Sequence, residues 1–161
     1  DAEGMAAGTP ATTALTRAGA VFALHAYDAD PASRSYGLDA ARSLGVDPDR
    51  LFKTLVASLD GSLVCAIVPV SGQLSLKALA AALGGRKAAM GDPAAVRRST
   101  GYVLGGVSPF GQRTALRTAV DESAQLWDTV FVSAGRRGLQ AELAPDVLIA
   151  LTGAVLADLT A

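Results

Sequence analysis

Lys53 is the only charge in the strand-like run Leu51-Phe-Lys-Thr-Leu-Val56, and further along the chain Gly101-Tyr-Val-Leu-Gly-Gly-Val-Ser-Pro-Phe-Gly-Gln112 holds four glycines and a proline in twelve residues. Glycine frees φ and proline fixes it, so such a loop is able to turn its amides toward a ligand. A row of inward N–H groups suits a negatively charged oxygen, either on a phosphate or forming at a reacting carbonyl. The same composition also makes a plain Gly-Pro turn between two strands. Lys53 likewise has two readings, since a lysine in an apolar strand either reaches past its neighbours to water or serves a ligand. Ser108 and the serine of Ser133-Ala-Gly135 add small hydroxyls beside glycine, and Tyr27 is a strand aromatic able to stack or hydrogen-bond near a bound group.

Other catalytic arrangements lack parts. A Ser-His-Asp or Cys-His engine needs a histidine oriented by a third group, and the one histidine is His25, on a strand near the N-terminus. Cys65 lies in the apolar run Leu63-Val-Cys-Ala-Ile-Val68, where a thiol is ordinarily a small, inert core residue. One histidine, one cysteine and dispersed carboxylates give no metal-ligand spacing, so neither a metal nor a cofactor is expected. Asp28 and Asp30 suit a turn. Gly105-Gly-Val-Ser-Pro-Phe-Gly111 has the spacing of neither a P-loop nor a dinucleotide fingerprint, which sets aside phosphoryl transfer and nicotinamide chemistry. The basic pairs Arg86-Lys87, Arg97-Arg98 and Arg136-Arg137 either touch phosphates or face solvent.

The elements that must position these residues follow from periodicity and caps. Thr9-Pro10 opens a helix over about 10–18, stopped by Gly19, and Val21–Tyr27 alternates as a strand with His25 and Tyr27 on one face. Leu38, Ala41 and Leu44 mark a short helix ended by Gly45. Strands over 51–58 and 62–70 flank Leu59-Asp-Gly as a hairpin, with Lys53 on the first. Ser75 and Asp92-Pro93 cap two helices, separated by a short strand over Arg86–Met90. Tyr102-Val-Leu is expected as a strand leading into the glycine loop. Beyond it come strands near 113–120, 129–133 and 139–143, a short helix near 124–127, a helix over 146–152 and a last strand near 154–159. Short antiparallel-looking groups with irregularly placed helices give an α+β class, its mixed, mostly antiparallel sheet expected to curl into a barrel with helices around it.

The chain of 161 residues is long enough for one domain, here expected over 9–161, with a tail over 1–8 in which Asp1–Gly4 precede a natural start at Met5. Half the residues are hydrophobic but only 5% are aromatic, so alanine, valine and leucine must build the core. A net charge of −1 disfavours holding nucleic acid by bulk electrostatics, so any RNA contact must be local or helped by a partner. A single cysteine forms no internal disulfide and fits a reducing compartment. No apolar run is long enough to span a membrane and no secretory signal opens the chain, so a soluble, cytoplasmic protein is expected.

Three separated motifs, Phe52-Lys-Thr-Leu55, Ser99-Thr-Gly-Tyr-Val-Leu-Gly-Gly-Val-Ser-Pro-Phe-Gly-Gln112 and Val132-Ser-Ala-Gly-Arg-Arg-Gly-Leu139, occur in an order that resembles the YbaK/EbsC family. These are free-standing relatives of the editing domain inserted in bacterial prolyl-tRNA synthetases. The resemblance covers nearly the whole chain from Thr9 and implies a single α+β domain with a barrel-like sheet. It also implies hydrolysis of misacylated tRNA in trans, most closely removal of cysteine from tRNA-Pro. Carried over residue by residue, the family's essential lysine is Lys53, its Gly-x-x-x-Pro loop runs from Gly105 to Pro109, and the strand tyrosine, the threonine after the lysine and the motif serine are Tyr27, Thr54 and Ser133. Ala134 departs from the pattern, standing where many relatives have a second glycine.

An aminoacyl ester is already activated, so its cleavage mostly requires holding the carbonyl and stabilising an oxyanion. Loop amides at Gly105 and Gly106 are the expected donors, Lys53 is expected to hold the carbonyl region or the terminal phosphate, and Ser108 and Pro109 belong to the substrate-binding set. For a cysteinyl substrate the family implies attack by the substrate's own thiol, with no general base from the protein. Aminoacyl-tRNA is the expected partner, with prolyl-tRNA synthetase supplying tRNA selection. Two alternatives stay open: a deacylase for another small residue such as alanine, using water, and a non-catalytic module that binds tRNA or the synthetase.

Overall fold

The computed structural model of the protein describes residues 8–161. The expected tail over 1–8, with its start at Met5, lies outside them except for Gly8. Helix α1 (Pro10–Arg17) begins where predicted, its N-cap Thr9 accepting from the Thr12 amide at 3.1 Å. The same Thr9 hydroxyl donates to the Ala134 carbonyl and so ties the helix to a later strand. Strand β1 (Ala23–Ala26) is shorter than the expected 21–27, because Val21 is 86% exposed and pairing covers only Ala23 to Ala26. Helix α2 (Tyr36–Leu44) ends at Gly45 in the left-handed region.

Strands β2 (Phe52–Leu59) and β3 (Ser62–Pro69) form the expected hairpin, closed by Asp60-Gly61 with φ of 50° and 88°, the positive values a two-residue turn requires. Helix α3 (Leu76–Ala82), strand β4 (Ala88–Met90) and helix α4 (Pro93–Thr100) follow, the helices capped by Ser75 and Asp92. After the glycine loop come β5 (Thr118–Asp121), a 3-10 turn (Glu122–Leu126), β6 (Val130–Arg136), β7 (Leu139–Leu143), α5 (Pro145–Thr152) and β8 (Val155–Ala157).

Two expected strand segments are absent. Residues 102–104 form no strand; Tyr102 turns inward, while Val103 and Leu104 are half or more exposed. The strand expected from 113 starts only at Thr118, since the Arg113 and Thr114 amides instead bond the Thr100 and Ser99 carbonyls at 3.0 and 2.8 Å. Those two bonds close the neck of the glycine loop.

The class is α+β in one domain, and four of the six strand pairings are antiparallel, the exceptions being β3–β5 and β5–β8. Among the described residues the pairings trace no closed barrel. They form one sheet ordered β1-β7-β6 and another ordered β4-β2-β3-β5-β8, joined by a single parallel bridge between Leu51 and Phe131. β4 and β8 end the larger sheet as three-residue edge strands.

Along β3, Cys65 and Ile67 enter the core between the sheets, while Val64, Ala66 and Val68 pack on the other face with Leu79 and Leu83 of the α3 region. Burial on both faces explains why this strand is a continuous apolar run rather than an alternating one.

Candidate active site

Strand β4 pairs only with Ala57 to Leu59, so the first half of β2 has no β4 neighbour on that side. A cavity of about 340 Å³ opens there, between β2, the β6–β7 sheet, the start of α2 and the glycine loop. Its wall brings together Lys53, Thr54, Tyr27, Gly105 and Ser133. Gly106, Ser108 and Pro109 are not on it. Pro109 borders a separate hollow of about 300 Å³ near α1 and α5.

The loop's residues divide between bracing and exposure to the cavity. The Tyr102 hydroxyl donates to the Phe110 carbonyl at 2.5 Å across the loop, and burial pushes its pKa up to about 12. Ser108 is fully buried and accepts from the Phe110 amide at 3.2 Å, while Gln112 donates to the Ser108 carbonyl at 3.1 Å. The Gly106 amide is occupied by the Val103 carbonyl at 2.9 Å, and its own carbonyl accepts from the Ser133 hydroxyl at 3.1 Å. Gly106 therefore anchors the loop rather than offering a free amide. A Cβ there would lie 2.9 Å from the Arg136 Cα, so glycine permits the loop to dock on β6. Gly105 has φ +85°, and a Cβ on it would meet Tyr36 Cγ and Arg137 Nε, each at 2.9 Å. Among the described residues its amide has no recorded acceptor.

Ser133 and Gln140 are register partners across β6 and β7, so their side chains leave the same face of the sheet, toward the cavity. The register shift between Ser133 and Arg136 absorbs Ala134-Gly135, with φ +107° at Gly135. Ala134 has no positive φ and is fully buried in the core, so the departure from glycine leaves the bulge intact.

Lys53 is half-buried, and burial holds its ammonium below the usual lysine range. Among the described residues no carboxylate pairs with it. The buried side-chain oxygens left without a hydrogen-bond partner among the described residues are Thr54 Oγ1 and Gln140 Oε1, and both residues line this cavity. The two residues are 9% and 6% exposed. An unpartnered hydroxyl, an unpartnered amide oxygen and an unpaired lysine therefore belong to residues on one cavity wall, a setting suited to a polar ligand.

The thiol of Cys65 is elsewhere, fully buried and pushed up to about 11 by burial. His25 Nε2 is hydrogen-bonded to Glu142 Oε1 at 2.9 Å. Among the described residues no three His, Cys, Asp or Glu side chains gather as a metal site, and no helix is long and apolar enough to cross a membrane.

The sequence had not singled out Gln140, Tyr36 or Arg34 for the cavity, and Arg137 only as half of a basic pair. A signal for Gln140 was present: Leu139-Gln-Ala-Glu-Leu143 alternates, placing two polar residues on one face of a strand that packs inward.

The α+β domain thus places a lysine and a braced glycine loop at one cavity. The sequence pattern of the aminoacyl-tRNA editing domain matches residues 31–151, and the chain belongs to that family.

EbsC of Enterococcus faecalis, named for deacylation of Cys-tRNA(Pro) and Cys-tRNA(Cys), is 41% identical over 122 residues, 74% of either chain. The proline–tRNA ligase of Moorella thermoacetica is 43% identical over 68 residues, which is 42% of this chain and 12% of that enzyme. A crystal structure described as a trans-editing enzyme for prolyl-tRNA synthetase superposes with a TM-score of 0.81 at 28% identity, covering 94% of this chain and 95% of the other.

Proposed function

We propose that the protein acts in trans to remove cysteine from mischarged tRNA-Pro. The observation that carries the chemistry is an uncompensated Lys53 on the wall of a cavity that Thr54 and Gln140 also line, with the one cysteine buried in the core and the one histidine hydrogen-bonded to Glu142 off that wall. Thr54 Oγ1 and Gln140 Oε1 accept hydrogen bonds from the α-ammonium of the aminoacyl group. Lys53 holds the carbonyl end of the ester, and the Gly105 amide faces the oxygen on which negative charge develops. Ser133, fixed by its bond to the Gly106 carbonyl, keeps the loop in register with β6.

Without a protein nucleophile at the ester, the substrate thiol attacks the carbonyl carbon. A C–S bond forms, the ester C–O bond breaks, the thiol proton passes to the departing 3′ oxygen of the tRNA, and water then opens the resulting thiolactone to free cysteine. Selectivity for tRNA-Pro comes from association with prolyl-tRNA synthetase, because a chain of net charge −1 has little general affinity for RNA.

The test is a deacylation panel of Cys-tRNA-Pro, Ser-tRNA-Pro, Ala-tRNA-Pro and Cys-tRNA-Cys, with and without the synthetase. Cys-tRNA-Pro is expected to turn over fastest, its serine counterpart to be nearly inert, and the synthetase to lower the apparent KM. Equal cleavage of the seryl and alanyl substrates would replace the thiol with water. Binding to the synthetase with no turnover on any substrate would replace the enzyme with a recognition module.

A further inference from the structure

At the mouth of the cavity, two guanidinium groups converge on one phenol. Arg34 Nη1 lies 3.3 Å and Arg137 Nη2 3.2 Å from the Tyr36 hydroxyl, and the Arg137 guanidinium also sits over the Tyr36 ring at 4.3 Å from its centroid. Like charges brought to one oxygen repel unless an anion joins them. Among the described residues no carboxylate pairs with either arginine; the nearby Asp39 of α2 is engaged with Arg42. Arg137 is fixed by two further bonds to the Leu104 carbonyl, both at 3.4 Å, whereas Arg34 is exposed and has only the phenol as a recorded partner. Each guanidinium has five N–H donors, so both retain donors for a ligand.

The backbone adds to the same spot. Tyr36 is the first residue of α2, and its N-cap, Ser35, makes no side-chain capping bond, leaving the first-turn amides and the positive end of the helix dipole open. Ser35, Tyr36, Gly37 and Leu38 border the same cavity that Thr54 and Gln140 line. The phenol is itself held below the usual tyrosine range, first by its hydrogen bond to Arg34.

We infer that Arg34, Arg137 and the uncapped start of α2 form an anion subsite that takes a phosphodiester of the RNA next to the ester-bearing nucleotide. This deepens the proposed function by assigning how the RNA end is held, and it rests on that reading for the identity of the ligand. It also reconciles a near-neutral protein with an RNA substrate, since the positive field is local to the mouth rather than spread over the surface.

The test uses two probes on the full chain: the trinucleotide CCA, which carries phosphodiesters, and adenosine, which carries none. Arg34 is the residue to change, because its only recorded partner is the phenol. Arg34→Ala is expected to weaken CCA binding roughly tenfold, to reduce the logarithmic salt slope by about one, and to leave adenosine binding unchanged. Arg34→Lys is expected to recover the salt slope and part of the affinity. In deacylation, Arg34→Ala raises KM for aminoacyl-tRNA at constant kcat.

Unchanged CCA binding in Arg34→Ala, or equal weakening of CCA and adenosine, overturns the subsite. Binding of CCA through Arg34 by a protein that deacylates nothing overturns the proposed function and leaves the subsite standing.

Discussion

One face of the β1–β7–β6 sheet carries two polar groups of opposite character. At one end Glu142 accepts from the Thr129 hydroxyl at 2.5 Å, from Arg50 at 3.1 Å and from His25 at 2.9 Å, while Arg50 also donates to the Thr129 carbonyl at 2.7 Å and stacks on Phe131. Two residues along β7, Gln140 shares its face with Ser133 and His25, yet its carbonyl oxygen has no partner among the described residues. The first end has the histidine, the carboxylate and the arginine that usually attract attention, and it is satisfied within itself. The second has modest residue types and unmet hydrogen bonds. Buried unsatisfied groups weaken a fold, and their concentration in one cavity is what the proposed ligand site rests on.

Lys53→Ala should separate the two ends most sharply. Loss of one donor to a developing oxyanion costs about 10²–10³ in rate, so single-turnover release of the aminoacyl group should fall at least a hundredfold. Thermal unfolding should not worsen, because the burial that lowers the Lys53 pKa makes its charge unfavourable to folding. The sign follows from a folded value beneath the unfolded one: the charged amine weakens folding below the folded pKa, and the weakening is relieved as pH rises through it. Activity that depends on the ammonium declines over that rise, so the alkaline limb of kcat/KM should fall below the free lysine value of about 10.4. A Lys53→Ala protein that remains active would place the chemistry outside the cavity.

Gly105→Ala comes next. With φ at +85° and the Cβ forced to 2.9 Å from Tyr36 and Arg137, the loop must shift. A backbone held in that region by a non-glycine residue costs roughly 1–3 kcal/mol, and a displaced donor is expected to lower kcat about 10- to 100-fold. Thermal melts and single-turnover rates on the same preparation check both numbers. Unchanged kinetics would show that the loop borders the cavity without acting in it.

How much of this was legible in the sequence depends on whether a signal is local. The α1 cap, the β2–β3 hairpin and the Gly45 stop were readable because each is encoded within a few neighbouring residues. The Tyr102 segment was not, since its alternation with Val103 and Leu104 suits a strand, and only the distant Phe110 carbonyl explains why the ring turns inward instead. Lys53, Thr54, Tyr27, Gly105 and Ser133 come from four separate segments and meet at one wall. The division of labour inside the loop was invisible, because whether the Gly106 amide is free depends on a turn bond to Val103 that composition does not reveal. Arg34 and Tyr36 escaped notice for the same reason: their value lies in the approach of Arg137 from another part of the chain.

Thr54→Val gives a smaller effect but a more diagnostic one. The swap keeps the shape of a side chain that is 9% exposed and removes the orphaned hydroxyl. An unsatisfied buried hydroxyl costs about 1–3 kcal/mol, so the variant should be as stable as the parent or more so in chemical denaturation. Its kcat/KM is expected to fall about tenfold, the worth of one hydrogen bond to a charged group. Stability and activity moving in opposite directions is the signature of a group kept for a ligand. A parallel loss of both would make Thr54 a packing residue.

Glu142→Gln should leave kcat/KM within about twofold of the parent while lowering stability, because all three of its partners belong to the fold. Losing charge-assisted bonds at a partly exposed carboxylate is worth about 1–2 kcal/mol. The Thr129 hydroxyl foremost, with His25 and Arg50, holds the Glu142 carboxyl below the usual range. That depressed folded pKa means the contribution is complete above the unfolded value of about 4.3 and is lost as pH falls through the folded one. Denaturation followed from pH 7 to pH 3 should therefore show the parent losing its advantage over Glu142→Gln in the acid range alone. A large loss of activity in Glu142→Gln at pH 7 would mean that Gln140 and Glu142 work as one network, and that the paired end of the sheet positions the unpaired end.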